Sequence, residues 1–143
     1  MPSKRIVLDT NCLLVSISKY GEAYPVWRGF LEERYTLCVT TEILEEYEEI
    51  IARMTTPEVA RNVLDAILKR KNVLRVDPYF HWHLITDDPD DNKFVDCAFS
   101  ANATYIVSDD SHFDVLRDIT FPELLVVRLK EFIEELKSEE EES

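Results

Sequence analysis

The chain has 143 residues, of which 45% are hydrophobic, and its formal net charge is −13 at pH 7. This length predicts one domain that buries roughly 70% of the surface of the unfolded chain. The acidic balance argues against a broadly basic surface for nucleic acid. No apolar run approaches the roughly 20 residues that span a bilayer, and no signal peptide is apparent. Three cysteines without a close pair indicate neither a disulfide framework nor a zinc knuckle, so we expect a cytoplasmic protein that does not bind membranes.

Short apolar runs alternate with helical stretches along the chain. The strand candidates are residues 4–8, 36–39, 73–76, 105–107 and 124–127. This alternation predicts an α/β fold in which a parallel sheet is covered on both faces. We expect residues 1–137 to form one domain and residues 138–143 to form a short, disordered acidic tail.

The first strand candidate ends on an acid. Residues 6–8 are apolar, and Asp9, Thr10 and Asn11 follow them. Ligands of open α/β sheets bind at the carboxyl ends of the strands. Asp9 is therefore the first candidate site residue.

A helix with two flanking acids is predicted after Thr41. On a helical wheel, Glu46 and Glu48 lie on opposite flanks of the apolar stripe, whereas the other glutamates of this segment point away from it. Both therefore border the core. The periodicity leaves the choice between Glu46 and Glu48 open.

The middle of the chain is basic. Residues 51–75 hold six bases and two acids, a local charge of +4. Solvated helix faces explain this stretch, and the alternative is an RNA contact surface. The residues assigned to that contact are Arg53, Lys69, Arg70 and Lys71. Within the stretch, Thr56 and Pro57 predict the start of a helix that reaches about Arg70.

Asp88 followed by Pro89 predicts the start of another helix, which reaches about Asn102. The wheel places Asp91 near the centre of its apolar stripe and Asp96 nearly opposite. A carboxylate that faces an apolar layer is unfavourable unless it is paired, caps the helix or binds a metal. Asp91 is a candidate for a cap or for the site.

The strand candidate at residues 105–107 is followed by Ser108, Asp109 and Asp110, and a short helix is expected from Ser111. If this strand neighbours the first one where the strand order reverses, Asp9 and Asp110 meet in one crevice. The alternative is that Asp109 or Asp110 only caps the next helix.

Acids that converge in one crevice raise one another's pKa values unless a cation neutralises them. Hard oxygen ligands indicate Mg²⁺ or Mn²⁺, which can support phosphodiester hydrolysis without a Ser or Cys nucleophile. Nucleotide cofactors are not expected, because no Gly-rich phosphate loop is present. His81, His83 and His112 lack the further ligands of a transition-metal set, and we expect them on the surface or in loops.

Four short motifs, taken together, resemble the PIN-domain nucleases. They are Asp9-Thr10-Asn11, Thr40 with Glu46 six positions on, Asp91 seven positions before Ala98, and Ser108-Asp109-Asp110. Residues 88–94 and 108–113 resemble the branch that contains toxin components of type II toxin–antitoxin pairs. The likeness extends from Ile6 to about Leu136.

The resemblance implies a Rossmann-like sheet of about five strands in the order 3-2-1-4-5 and a Mg²⁺- or Mn²⁺-dependent endoribonuclease. It also implies an RNA substrate, an antitoxin protein as partner and a homodimer. The catalytic and metal-binding acids that it implies are Asp9, Glu46, Asp91 and Asp110. Asn11 and Ser108 would support the first and last of these acids by hydrogen bonds, and Asp109 leaves the choice of ligand beside Asp110 open.

Two other functions fit the same residues. A binding module that kept the fold without catalysis would present its acidic surface to a basic protein partner, or would bind RNA without cleaving it. A phosphatase with an aspartyl nucleophile at Asp9 would generally have a second acid two residues later, where this chain has Asn11.

Overall fold

A five-stranded parallel sheet forms the centre of the protein. The computed structural model describes residues 4–78, 81, 83–85, 89–118 and 124–142. The strands pair in the order β3-β2-β1-β4-β5, and every neighbouring pair is parallel. The predicted fold class and strand order are confirmed. The strands are β1 (Arg5–Leu8), β2 (Thr36–Val39), β3 (Val73–Arg75), β4 (Tyr105–Val107) and β5 (Val126–Val127).

Helices connect and cover the strands. Two 3₁₀ segments, Pro89–Asp91 and Ser111–Asp118, precede and follow the α5–β4 unit. No helix in the described ranges is both long and apolar enough to cross a membrane. The helices among the described residues are α1 (Thr10–Ser16), α2 (Tyr24–Leu31), α3 (Thr41–Met54), α4 (Pro57–Lys69), α5 (Asn92–Ala101) and α6 (Leu129–Glu142).

The central strand is buried on both faces. Ile6, Val7 and Leu8 are at most 1% exposed, and successive side chains of a strand point to opposite faces. β1 pairs with β2 on one side and with β4 on the other. The strand order therefore reverses at β1 and β4, and a crevice forms outside the carboxyl ends of these two strands.

Local signals determine where the helices begin and end. Thr56 Oγ1 accepts a hydrogen bond from Val59 N at 3.1 Å, so α4 begins as predicted. α5 begins at Asn92 and not at Pro89, because residues 89–91 form a 3₁₀ turn; the predicted cap Asp88 lies outside the described residues. Asn102 takes up a left-handed conformation with φ of 52° and ends α5.

Residues 138–142 are helical, which differs from the expectation of a short, disordered acidic tail over residues 138–143; Ser143 lies outside the described residues. α6 continues to Glu142. Glu139 accepts hydrogen bonds from Lys4 Nζ at 3.1 Å and Arg34 Nη2 at 3.4 Å, and Glu140 accepts one from Arg28 Nη2 at 2.8 Å. These cations offset the repulsion between the glutamates. Because α6 runs from Leu129 to Glu142, a domain boundary at residue 137 would lie inside a helix.

The hydroxyl of Tyr47 on α3 anchors the end of β1. Tyr47 is fully buried and donates a hydrogen bond to the Leu8 carbonyl oxygen at 2.6 Å. We expect Tyr47→Phe to lower the free energy of unfolding by about 1–2 kcal/mol in urea denaturation, because that buried carbonyl loses a donor. Tyr20→Phe is the matched control, since Tyr20 is 96% exposed. An equal loss in both variants would contradict the assignment.

Candidate functional site

Asp9 lies at the carboxyl end of β1, where the chain turns into α1. Its backbone N–H donates to the Val107 carbonyl oxygen of β4 at 3.0 Å, and its carbonyl oxygen accepts from Leu13 N at 3.1 Å. The residue is 7% exposed. The sheet and the first turn of α1 together fix the position of this carboxylate.

The environment of Asp9 disfavours its negative charge. Burial raises the pKa of the Asp9 carboxyl above its ordinary value; the hydrogen bond from Ser108 lowers it, and the charges of Asp110 and Glu46 raise it. A cation near these acids would relieve both the burial and the repulsion. The electrostatics of the crevice therefore fit a bound cation.

Ser108 joins the ends of β1 and β4. It is fully buried, and its hydroxyl donates to Asp9 Oδ2 at 2.8 Å and accepts from Asp110 N at 3.0 Å. The hydroxyl therefore supports the first acid through its side chain and the last acid through its backbone.

The neighbours Asp109 and Asp110 point to different places. Asp109 Oδ1 accepts from Leu129 N at 2.9 Å, where α6 begins. Asp110 Oδ1 accepts from His112 N at 2.9 Å and lies 3.2 Å from His112 Nδ1. Both residues line the cleft in front of Asp9, but the Asp109 carboxylate caps α6 and the Asp110 carboxylate contacts His112.

Asp91 approaches Asp110 across the crevice. It ends the 3₁₀ turn before α5, and its side chain is 13% exposed. His112 Nδ1 lies 3.2 Å from Asp91 Oδ2, and one ligand atom each of Asp91, Asp110 and His112 lie within 4.8 Å of one another. Such a group can hold a metal ion, and its oxygens suit Mg²⁺ or Mn²⁺.

His112 lies beside two candidate acids, which sequence reasoning did not predict. It was expected on the surface or in a loop, and its side chain is 36% exposed, but its ring contacts Asp91 and Asp110. The signal in the sequence was its place two residues after Asp110, at the start of a predicted short helix.

Glu46 is held by Thr10 and Lys93. Its Oε2 accepts a hydrogen bond from the Thr10 hydroxyl, and its Oε1 lies 2.8 Å from Lys93 Nζ. Glu48 is exposed on the same helix. The structure therefore brings Glu46 toward α1 and α5, a choice that periodicity left open.

Lys93 is a second residue that sequence reasoning missed. Its side chain is 9% exposed, and it also lies 3.1 Å from Asp90 Oδ2. Burial lowers the pKa of Lys93, but the hydrogen bonds and charges of Glu46 and Asp90 outweigh burial and raise it. Lys93 therefore stays positively charged beside the acids.

The cleft in front of Asp9 has a volume of about 250 Å³ and includes Asn11, Cys12 and Asp110. Asn11 is exposed, and its side chain makes no hydrogen bond to any described residue, so the expected hydrogen bond from Asn11 to an acid is not found there. Burial raises the pKa of the Cys12 thiol to about 12, so it is not a thiolate nucleophile near neutral pH.

Asp96 was predicted to point away from the core, and this was wrong. It is 4% exposed, and its Oδ2 lies 3.1 Å from His81 Nδ1. α5 is covered on several sides, because it packs against β1, β2, β4 and α3 and is overlaid by the segment with His81. A single apolar stripe was therefore a poor guide to which residues of α5 are buried.

The residues assigned to RNA contact are exposed and lie away from the acids. Lys69, Arg70 and Lys71 directly precede β3, at the amino end of a parallel strand, whereas the acids follow carboxyl ends. Arg53 is on the last turn of α3, about 10 Å along the helix axis from Glu46. Their contact with RNA stays a prediction, and it would involve a part of the RNA that extends beyond the crevice.

The chain is similar to known proteins in sequence and in fold. A family model described as a PIN domain matches residues 5–112. A chain in the crystal structure of VapBC2 from Rickettsia felis bound to a DNA fragment from their promoter has a TM-score of 0.60 and 18% sequence identity, covering 87% of this chain and 98% of that chain. This structural likeness concerns the fold.

The raised pKa of Asp9 predicts how stability depends on pH. The folded state keeps the proton on Asp9 to higher pH than the unfolded state, so stability is lost as pH rises from the ordinary value of 3.8 through the raised pKa. Asp9→Asn removes this loss. Without metal, we expect the variant to be more stable than the wild type at pH 7 by on the order of 1 kcal/mol in urea denaturation.

The gain from Asp9→Asn should shrink as the pH falls below 3.8 and vanish at about pH 3, where this carboxyl is protonated in both the folded and the unfolded state. Glu49→Gln on the exposed face of α3 is the control and should show no gain at pH 7. If Asp9→Asn raises the free energy of unfolding by the same amount at pH 7 and at the low pH, burial does not disfavour the charged form of Asp9.

Proposed function

The chain belongs to the PIN-domain family, and from this premise we propose that it is a metal-dependent endoribonuclease that acts as the toxin of a toxin–antitoxin pair. One observation carries the proposal: Asp9 and Asp110 line one cleft outside the carboxyl ends of β1 and β4, and ligand atoms of Asp91, Asp110 and His112 lie within 4.8 Å of one another. The burial of Asp9 and its repulsion by Asp110 favour a cation there.

The acids have different roles in this proposal. Asp91 and Asp110 would hold Mg²⁺ or Mn²⁺ together with Asp9, because their oxygens are the hard ligands that these ions prefer. When bound, such an ion neutralises negative charge on the phosphate and acidifies the attacking water. Ser108 keeps Asp9 directed into the crevice through the 2.8 Å hydrogen bond.

Glu46 would orient the attacking water. Because Thr10 and Lys93 contact its two oxygens, its carboxylate is fixed in the unbound protein. Lys93 keeps one positive charge next to Glu46, and this charge is shared between Glu46 and Asp90.

The biological role is proposed from the family branch that the sequence resembles and from the structure of similar fold, VapBC2 from Rickettsia felis bound to a DNA fragment from their promoter. In this role, a small partner protein would bind the chain and block RNA cleavage. We propose further that the protein acts as a homodimer in the cytoplasm, which light scattering of the purified protein tests directly. A monomer would contradict the proposed assembly.

The cleavage proposal predicts a strict dependence on Asp9 and on metal. We expect purified protein with Mg²⁺ or Mn²⁺ to cleave single-stranded or structured RNA, and we expect Asp9→Asn or EDTA to lower the rate at least about 100-fold, because charge stabilisation is lost. The measurement is gel analysis of labelled RNA. Equal activity of Asp9→Asn and wild type would refute the mechanism, and cleavage of matched DNA at the same rate would refute the RNA assignment.

Glu46 and Glu48 provide a matched pair on one helix for the same assay. We expect Glu46→Gln to lower the rate about 10- to 100-fold, because a neutral amide orients water less well. Glu48→Gln should leave the rate within about twofold of wild type, since Glu48 is exposed and outside the crevice. Equal effects of the two substitutions would contradict the role of Glu46.

The toxin role predicts a growth phenotype. Induced expression of the wild-type chain should arrest bacterial growth, and the Asp9→Asn variant at the same protein level should not. Co-expression of a small protein from a neighbouring reading frame should restore growth and co-purify with the chain. Growth arrest by both forms would show that any toxicity is unrelated to cleavage.

A further inference from the structure

His112 lies between two acids of the crevice. Its Nδ1 is 3.2 Å from Asp91 Oδ2 and 3.2 Å from Asp110 Oδ1. The two carboxylates belong to separate elements, since Asp91 precedes α5 and Asp110 follows β4. The imidazole nitrogen therefore lies beside both carboxylates that would share an ion.

The backbone holds His112 at this point. Its N–H donates to Asp110 Oδ1 at 2.9 Å, and Phe113 N donates to the Asp110 carbonyl oxygen at 3.2 Å. Phe113 is fully buried, with its ring centroid 6.4 Å from that of Phe94 on α5. The residue after His112 is thus anchored in the core, and the position of the ring depends on packing.

The spacing of the three ligand atoms fits one ion. Mg²⁺ binds oxygen at about 2.1 Å in octahedral geometry, so ligands at adjacent corners are about 3.0 Å apart and opposite ligands about 4.2 Å apart. Both distances from His112 Nδ1 match adjacent corners, and all three atoms lie within 4.8 Å of one another. Little movement is needed for the nitrogen and both oxygens to bind together.

We propose that His112 Nδ1 is a direct ligand of the ion, together with Asp91 and Asp110, and that this nitrogen makes the site selective for Mn²⁺ over Mg²⁺. The inference rests on the proposed metal-dependent function and specifies the ion for that site. Imidazole suits transition metals, whereas Mg²⁺ takes oxygen ligands. A site made only of carboxylate oxygens lacks the nitrogen ligand that would favour Mn²⁺ over Mg²⁺.

A different role for His112 leads to different measurements. If the imidazole only donates hydrogen bonds to Asp91 and Asp110, it orients both carboxylates for any ion. Its loss would then weaken Mg²⁺ and Mn²⁺ binding by the same factor. A nitrogen that binds the ion directly leaves a magnetic signature on Mn²⁺ and changes the ratio of the two affinities.

The test is pulsed electron paramagnetic resonance of the full chain loaded with one equivalent of Mn²⁺, read as electron spin-echo modulation from ¹⁴N. We expect the modulation of a directly bound imidazole nitrogen in wild type and its loss in His112→Asn. Calorimetry should show a clearly larger fold loss of Mn²⁺ affinity than of Mg²⁺ affinity in His112→Asn.

His83→Asn is the matched control. His83 has a φ of 52°, a conformation that Asn accepts more readily than most residues, and it lies beside a separate cavity with Lys93 and Asp96. This variant should keep the ¹⁴N signal and both affinities. Circular dichroism of all three proteins checks that each is folded, and His112→Gln provides a second substitution if His112→Asn is not.

The outcomes separate this inference from the proposed function. If the wild type binds Mn²⁺ in an Asp9-dependent manner but shows no ¹⁴N modulation, His112 is not a ligand, and metal-dependent cleavage still stands. The same conclusion follows if His112→Asn weakens Mn²⁺ and Mg²⁺ binding by the same factor. Wild type that binds neither ion refutes both. If the ¹⁴N modulation persists in His112→Asn but disappears in His83→Asn, the bound nitrogen belongs to His83, and the inference about His112 is wrong.

Discussion

The Ser108 hydroxyl donates to the Asp9 carboxylate and accepts from the Asp110 backbone, so one buried oxygen links the carboxyl ends of the two strands where the sheet reverses its order. Asp9 is placed by the parallel pairing of β1 with β4, and its burial follows from the apolar strand before it. Without the donor from Ser108, a buried carboxylate beside other acids would be still less favourable. The remaining acids are arranged around this fixed pair.

Charge balance divides the crevice into two parts. On one side, Glu46 is paired with Lys93, and its charge is compensated by the protein itself. On the other side, the charge of Asp110 raises the pKa of Asp9, and His112 Nδ1 lies 3.2 Å from both Asp91 and Asp110. An added cation would stabilise this second part by offsetting the repulsion between Asp9 and Asp110. This asymmetry explains why four acids of similar chemistry are assigned unequal roles.

The sequence predicted features that depend on local pattern. The alternation of strands and helices, the start of α4 and the placement of Asp9 follow from apolar runs and capping residues, whereas the strand order was implied by the resemblance to PIN-domain nucleases. Glu46 could not be separated from Glu48 by periodicity, because both flank the stripe, and the difference comes from which flank packs beside α1 and α5. Asp96 was misjudged for a related reason, since a helix covered on several sides has no single buried stripe.

Long-range contacts account for the other differences. His112 and Lys93 join the site through partners that are 21 and 47 positions away, namely Asp91 and Glu46. No pattern within one helix or strand indicates such a pairing. The helical end of α6 likewise depends on Lys4, Arg28 and Arg34, whose approach to Glu139 and Glu140 is a property of the folded chain.

The adjacent residues Asp109 and Asp110 connect the crevice to a helix on the outside of the molecule. Asp109 caps α6 at Leu129, and its carbonyl oxygen accepts from Arg128 Nη1 at 2.8 Å, while Asp110 faces the acids. Rigidifying one peptide unit restricts its neighbour, so an ion held by Asp110 should slow amide hydrogen exchange in the first turn of α6. Occupancy of the crevice thus becomes observable from backbone amides that touch neither ion nor substrate.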